Sequence, residues 1–107
     1  MLVFKTIFFS NFNACNVKNM SGMFYEWFSL EELNLSNFNT RKTIFMTGIF
    51  AGCSSLKFLD ILNFNTNNVK NMSYMLYECT SLEEIIISNF NTKNVDDMSY
   101  LFINSFK

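Results

Sequence analysis

Phe12, Phe38, Phe64 and Phe90 are each followed by asparagine, and they stand 26 residues apart. No insertion or gap disturbs this period. A chain built this way repeats one small supersecondary unit, and units of this size bury their apolar faces only by stacking on one another. The units run 12–37, 38–63 and 64–89, with a partial unit at 90–107 and the tail of a preceding unit at 1–11. In that tail Phe4, Ile7 and Phe9 align with Leu30, Leu33 and Leu35. Residues 1–107 are therefore expected to form a single repeat domain, too short for two independent cores.

Each unit carries two apolar rhythms. Leu33 and Leu35 alternate with Asn34, and the same alternation recurs at Leu59 and Ile61 and at Ile85 and Ile87. Period two is the signature of a strand with one face buried. Val17, Met20, Met23 and Phe24 recur at intervals of three and four, as do Val69, Met72, Met75 and Leu76, and then Val95, Met98, Leu101 and Phe102. That spacing predicts a helical face about two turns long, with an upstream Asn or Thr as its cap. The expected fold class is α/β: a solenoid of about four 26-residue coils, with a parallel sheet on one face and short helices on the other. At about 4.8 Å per strand the stack would measure roughly 20 Å. Met20, Met46, Met72 and Met98 form one expected inward column, and the four phenylalanines form another.

The turn chemistry is unusual. There is no proline, there are only 3 glycines, and there are 16 asparagines. Asn tolerates positive φ better than other non-glycine residues and bonds back to nearby backbone. Asn and Ser are thus expected to make the turns. Asn11, Asn37, Asn63 and Asn89, with Asn13, Asn39, Asn65 and Asn91, are expected to form ladders that satisfy turn backbone.

Read through residues 64–89, the phrase Phe-Asn-Thr-x-Asn-Val-x-Asn-Met-Ser-x-Met-Leu-x-x-Cys-x-Ser-Leu, closing on Ile85, Ile87, Ser88 and Asn89, resembles the 26-residue repeat of BspA-like leucine-rich-repeat surface proteins. The resemblance spans nearly the whole chain. It implies a leucine-rich-repeat-like solenoid, a cell-surface or secreted location, adhesion or recognition of host or other partner proteins, and no catalytic residues. The chain departs from the pattern where Arg41-Lys42-Thr43-Ile44-Phe45 replaces Asn-x-x-Val-x-Asn, and where Trp27 replaces the usual Cys. No signal peptide or lipid-attachment motif is legible in it, so the location rests on the resemblance alone.

The residues themselves argue against chemistry. Histidine is absent, which removes the commonest general base and metal ligand. Cys15, Cys53 and Cys79 form no CxxC pair, and no metal or cofactor is expected. Cys53 and Cys79 share a column with Trp27 and Ser105, and free buried thiols are expected there rather than a disulfide. Adjacent carboxylates at Glu31-Glu32, Glu83-Glu84 and Asp96-Asp97 would point to opposite faces of a strand, which spoils them as acid/base pairs. The net charge of -1 lacks the basic excess of a nucleic-acid binder, and no apolar run approaches the ~20 residues of a membrane span.

The informative positions break the repeat while facing outward on the strands. Phe8, Glu32, Asn34, Phe58, Asp60, Glu84 and Ile86 are the candidate partner-binding residues. Phe8, Phe58 and Ile86 place large apolar groups where a solvated sheet takes polar ones, and aromatic groups supply much of the energy at protein interfaces. Arg41, Lys42 and Phe45 are a weaker second candidate, better read as drift in a degenerate unit. The expected function is a non-enzymatic protein-binding module. The alternative is a structural spacer or self-associating stalk whose copies stack end to end, the chain then being a fragment of a longer repeat array.

Overall fold

The computed structural model describes residues 6–8, 13–87 and 90–106, with the backbone alone described for Ile7 and Phe8. Four strands, β1 (Thr6–Phe8), β2 (Glu32–Asn34), β3 (Phe58–Asp60) and β4 (Glu84–Ile86), form one parallel sheet in sequence order. Every strand pairs in a register of one repeat, as in Glu32 with Phe58 and Leu33 with Leu59. The alternation behaves as period two requires: Leu33 and Leu59 are buried between exposed or half-buried neighbours. Ile85 is only partly buried, since no later strand packs over it among the described residues.

The α/β expectation is overturned. Among the described residues there is no helix, so the coils of a leucine-rich-repeat-like solenoid with short helices on one face are not what forms. Where a helix was expected, the chain makes linked i to i+3 turns. The amides of Met23, Tyr25 and Trp27 donate to the carbonyls of Met20, Gly22 and Phe24 at 3.2, 3.0 and 3.3 Å. The intervening amides turn outward to the next unit: Met20, Gly22, Phe24 and Glu26 donate to the carbonyls of Phe45, Thr47, Ile49 and Ala51 at 2.8–3.0 Å. About half a repeat away from the strands, isolated parallel bridges join Asn19, Phe45, Asn71 and Asp97 into a second ladder. An eight-residue helix is marginal by itself because its nucleus is costly. Here each alternate N–H finds an acceptor in a stacked neighbour instead.

Backbone handedness fixes the same outcome. Gly22, Gly48, Tyr74 and Tyr100 occupy one column, Glu26, Gly52, Glu78 and Asn104 another, and all have φ between 55° and 77°. Two left-handed residues four apart break any helical run. Gly52 illustrates why glycine suits the site: a Cβ there would lie 2.9 Å from Glu26 Cγ in the unit below. The asparagines make turns by bonding back to nearby backbone, and seldom by positive φ. Among them only Asn104 has positive φ within the described residues. Instead Asn13, Asn19, Asn34, Asn39, Asn65, Asn71 and Asn91 each accept the amide two residues on, at 2.9–3.1 Å, in Asx turns.

The core runs through the stack. Leu30, Leu56 and Leu82, Phe24 and Phe50, Phe38 and Phe64, and Met20, Met46 and Met72 are all buried. Phe50 stacks on Phe24 at 5.7 Å between centroids and on Phe64 at 6.4 Å. Met98 departs from the inward methionine column, at 46% exposed, because no further unit covers it among the described residues. Phe90 is partly buried for the same reason. Phe4, Phe9, Asn11, Phe12 and Asn89 lie outside the described residues.

Buried threonines, which the repeat reading passed over, stitch the units together. Thr66 Oγ1 donates to the Asn91 carbonyl at 3.0 Å and accepts the Asn91 amide at 2.7 Å. Thr40 does the same with Asn65. Across the asparagine columns, Asn63 Nδ2 donates to the Ser36 carbonyl, and Asn68 and Asn94 Nδ2 donate to Arg41 and Asn67 carbonyls. Of these, Asn63 belongs to an expected ladder column, whereas Asn68 and Asn94 stand in another; Asn91 Nδ2 meets Asn67 Oδ1 at 3.1 Å, not the Asn65 of its own column.

Candidate functional site

The strand register sets the candidate face out as two rows. Thr6, Glu32, Phe58 and Glu84 are successive partners in one, and Phe8, Asn34, Asp60 and Ile86 in the other. Neighbours within a row sit about 4.8 Å apart, the strand spacing. Because Leu33 and Leu59 turn inward, the described side chains of both rows project from the same side of the sheet. Glu32, Asn34, Phe58, Asp60, Glu84 and Ile86 line one shallow cavity of about 260 Å³, with Thr6 at its margin and Leu33 and Leu59 beneath. Phe8 is placed only by its backbone, which pairs with Asn34.

Chemically this face combines apolar and anionic groups. Phe58 is 39% and Ile86 40% exposed. Asp60 is steadied by the Leu62 amide, which donates to Oδ1 at 3.0 Å, and Asn34 Oδ1 accepts the Ser36 amide at 2.9 Å. Lys57, just before β3, is occupied at the margin by Glu31 at 3.4 Å. No cation pairs with Glu32, Asp60 or Glu84 among the described residues. Among the described residues the cavity lining holds no cysteine and no lysine or arginine.

The described thiols lie outside this lining. Cys53 and Cys79 are buried and free, and Cys15 is half-buried and free. Cys53 Sγ donates to the Phe24 carbonyl and Cys79 Sγ to the Phe50 carbonyl, each at 3.1 Å. Ser105 Oγ repeats the bond to the Leu76 carbonyl in the last unit. Burial pushes the Cys53 thiol up to about 11. Burial, with the neighbouring Cys53 as a smaller cause, pushes Cys79 to about 12. Both stay protonated at neutral pH, and the thiolate is the nucleophilic form. No group of three or more Cys, Asp or Glu able to hold a metal occurs among the described residues.

A second surface was not singled out from the sequence. Tyr74 stacks on Tyr100 at 5.0 Å and meets Tyr77 edge-on at 5.2 Å. The signal was present as Tyr at the column that holds Gly22 and Gly48. Beside it the Glu78 carboxylate holds the Tyr77 hydroxyl above its ordinary range. Asp97 is held below the carboxylate range by the Ser99 hydroxyl and amide, at 2.6 and 2.9 Å. Of the weaker candidates, Lys42 Nζ donates to Asn16 Oδ1 at 3.2 Å, and Phe45 belongs to the second ladder. Both therefore have local structural partners.

No helix among the described residues is long and apolar enough to cross a membrane. No curated protein and no solved structure matches the chain. A family model does, over residues 3–107, under the description "Mycoplasma protein of unknown function, DUF285". The match takes in every repeat unit and all four strands of the candidate face, so the chain belongs to the DUF285 family of Mycoplasma proteins.

Proposed function

We propose that this chain is a non-enzymatic protein-binding module that offers the β1–β4 face to a protein partner. The observation that carries the reading is the convergence of Phe58 and Ile86, both well exposed, with Glu32, Asn34, Asp60 and Glu84 around one cavity on a sheet held by cross-unit hydrogen bonds. Exposed apolar groups ringed by polar ones are the usual composition of a protein contact. The resemblance to BspA-like repeats supports a setting at the cell surface or in the secreted space, and adhesion as the role.

Phe58→Asp with Ile86→Asp should abolish capture of extracellular proteins by the immobilised chain, with circular dichroism unchanged. Tyr74→Asp, on the other surface, should leave capture intact. Capture that survives the double change, or that Tyr74→Asp alone removes, contradicts the strand-face reading.

One observation favours a second reading, a self-associating stalk. Within the stack, every second amide of the turn segment donates to the following unit; the equivalent amides of Met98, Tyr100, Phe102 and Asn104 have no acceptor among the described residues. Met98 and Phe102 are also exposed there, at 46% and 55%. A second copy stacked in register would satisfy both, through a head-to-tail interface that does not close. Sedimentation should then show mass rising with concentration, abolished by Met98→Asp with Phe102→Asp. A single monomer at every concentration rules the stalk out.

A further inference from the structure

We propose that the strand face reads an arginine side chain of its partner, seated on Phe58 between Glu32 and Glu84. The inference rests on the binding role of this face and adds the chemistry of what it takes. Phe58 is the third of the four members of its row, flanked on one side by Glu32 and on the other by Glu84. Two strand spacings separate the two glutamates, roughly 10 Å. A cation above the ring lies between two carboxylates and against an aromatic quadrupole at once.

Charge complementarity selects this occupant. The cavity is lined by Glu32, Asp60 and Glu84 and by no lysine or arginine. Among the described residues the cation nearest in sequence, Lys57, is engaged by Glu31 outside the lining. An anionic partner would meet three carboxylates that no cation pairs with among the described residues. A purely apolar one would strip water from them without return. Arginine suits the geometry better than lysine. Its flat guanidinium stacks on a ring while its edges donate to carboxylates on both sides. Ile86, diagonal to Phe58 across the rows, offers an apolar contact for the residue next to that arginine.

The probe is the peptide Ac-Leu-Arg-Leu-NH2, with Ac-Leu-citrulline-Leu-NH2 as its uncharged isostere, titrated into the ¹⁵N-labelled chain. The expected result is shifts at the amides of Glu32, Phe58, Glu84 and Ile86, with the citrulline peptide weaker by about tenfold. Glu32→Gln with Glu84→Gln should bring the arginine peptide down to the citrulline level, and added salt should weaken only the arginine peptide. Equal binding of the two peptides, shifts centred elsewhere, or no shifts at all overturns the proposal. The binding role fails separately. If Phe58→Asp with Ile86→Asp removes protein capture while Glu32→Gln with Glu84→Gln leaves it intact, the face binds but does not read arginine.

Discussion

Phe50→Ala should lower the stability of the chain by about 3–5 kcal/mol, the range for deleting a buried aromatic ring. Phe50 is fully buried in the second full unit and stacks on Phe24 of the unit before and Phe64 of the unit after. Its amide also donates to the Met75 carbonyl at 3.1 Å, and its carbonyl accepts the Cys79 thiol. The ring therefore touches three units, and no neighbour can move into the space without breaking a ladder. A domain of this size holds roughly 5–15 kcal/mol in all. The midpoint of thermal unfolding should fall by roughly 12–30 °C. Phe28→Ala, at a side chain 56% exposed, should stay within about 0.5 kcal/mol of the parent. Equal effects from the two changes would mean that the phenylalanine stack is not the core.

Alkali should unfold the protein through its thiols. Cys53 and Cys79 have folded values near 11 and 12 against an ordinary 9.0, because burial disfavours the thiolate. A group whose folded pKa is raised holds its proton more tightly in the folded state. Stability is then fully present below about pH 9 and is lost as pH rises through the folded values. For Cys53 alone the loss is about 2–3 kcal/mol once the pH has passed its folded value. Denaturant melts across this range should show the fall. Cys53→Ala with Cys79→Ala should start less stable at neutral pH, having lost two S–H donors and some packing. Its curve should then be flatter than the parent's above pH 9, tyrosine ionisation being common to both. Parallel curves would contradict the assignment.

The strands were legible because period two admits one answer: Leu33 and Leu59 must go in, and Glu32, Asn34, Phe58 and Asp60 must come out. The 26-residue period then fixed which residues share a row. Intervals of three and four were ambiguous. Met20, Met23 and Phe24 fit a helix and a run of linked turns equally well, since both bring the chain round in three to four residues. The deciding group was the backbone amide, whose acceptor lies 25 residues on and leaves no mark on side-chain pattern. A fainter mark existed in the pairing of Gly22 with Gly48 and of Gly52 with Glu26, but Tyr74 and Glu78 at the same columns disguised it. The threonines were missed because an Oγ1 serving two backbone groups looks, in sequence, like any turn residue. The rows of the candidate face were legible; the cavity they surround and the absence of a counter-charge within it needed side chains in place.

The turn segment of each unit is tied to its neighbours and not coiled on itself. Scalar coupling across individual hydrogen bonds measures this directly. In the folded chain the Phe50 amide nitrogen should couple to the Met75 carbonyl carbon, and the Gly48 nitrogen to Ser73, the acceptors that lie 3.1 and 2.8 Å from them. Coupling of Phe50 to the Met46 carbonyl instead would show an i to i−4 helix, and would contradict this fold.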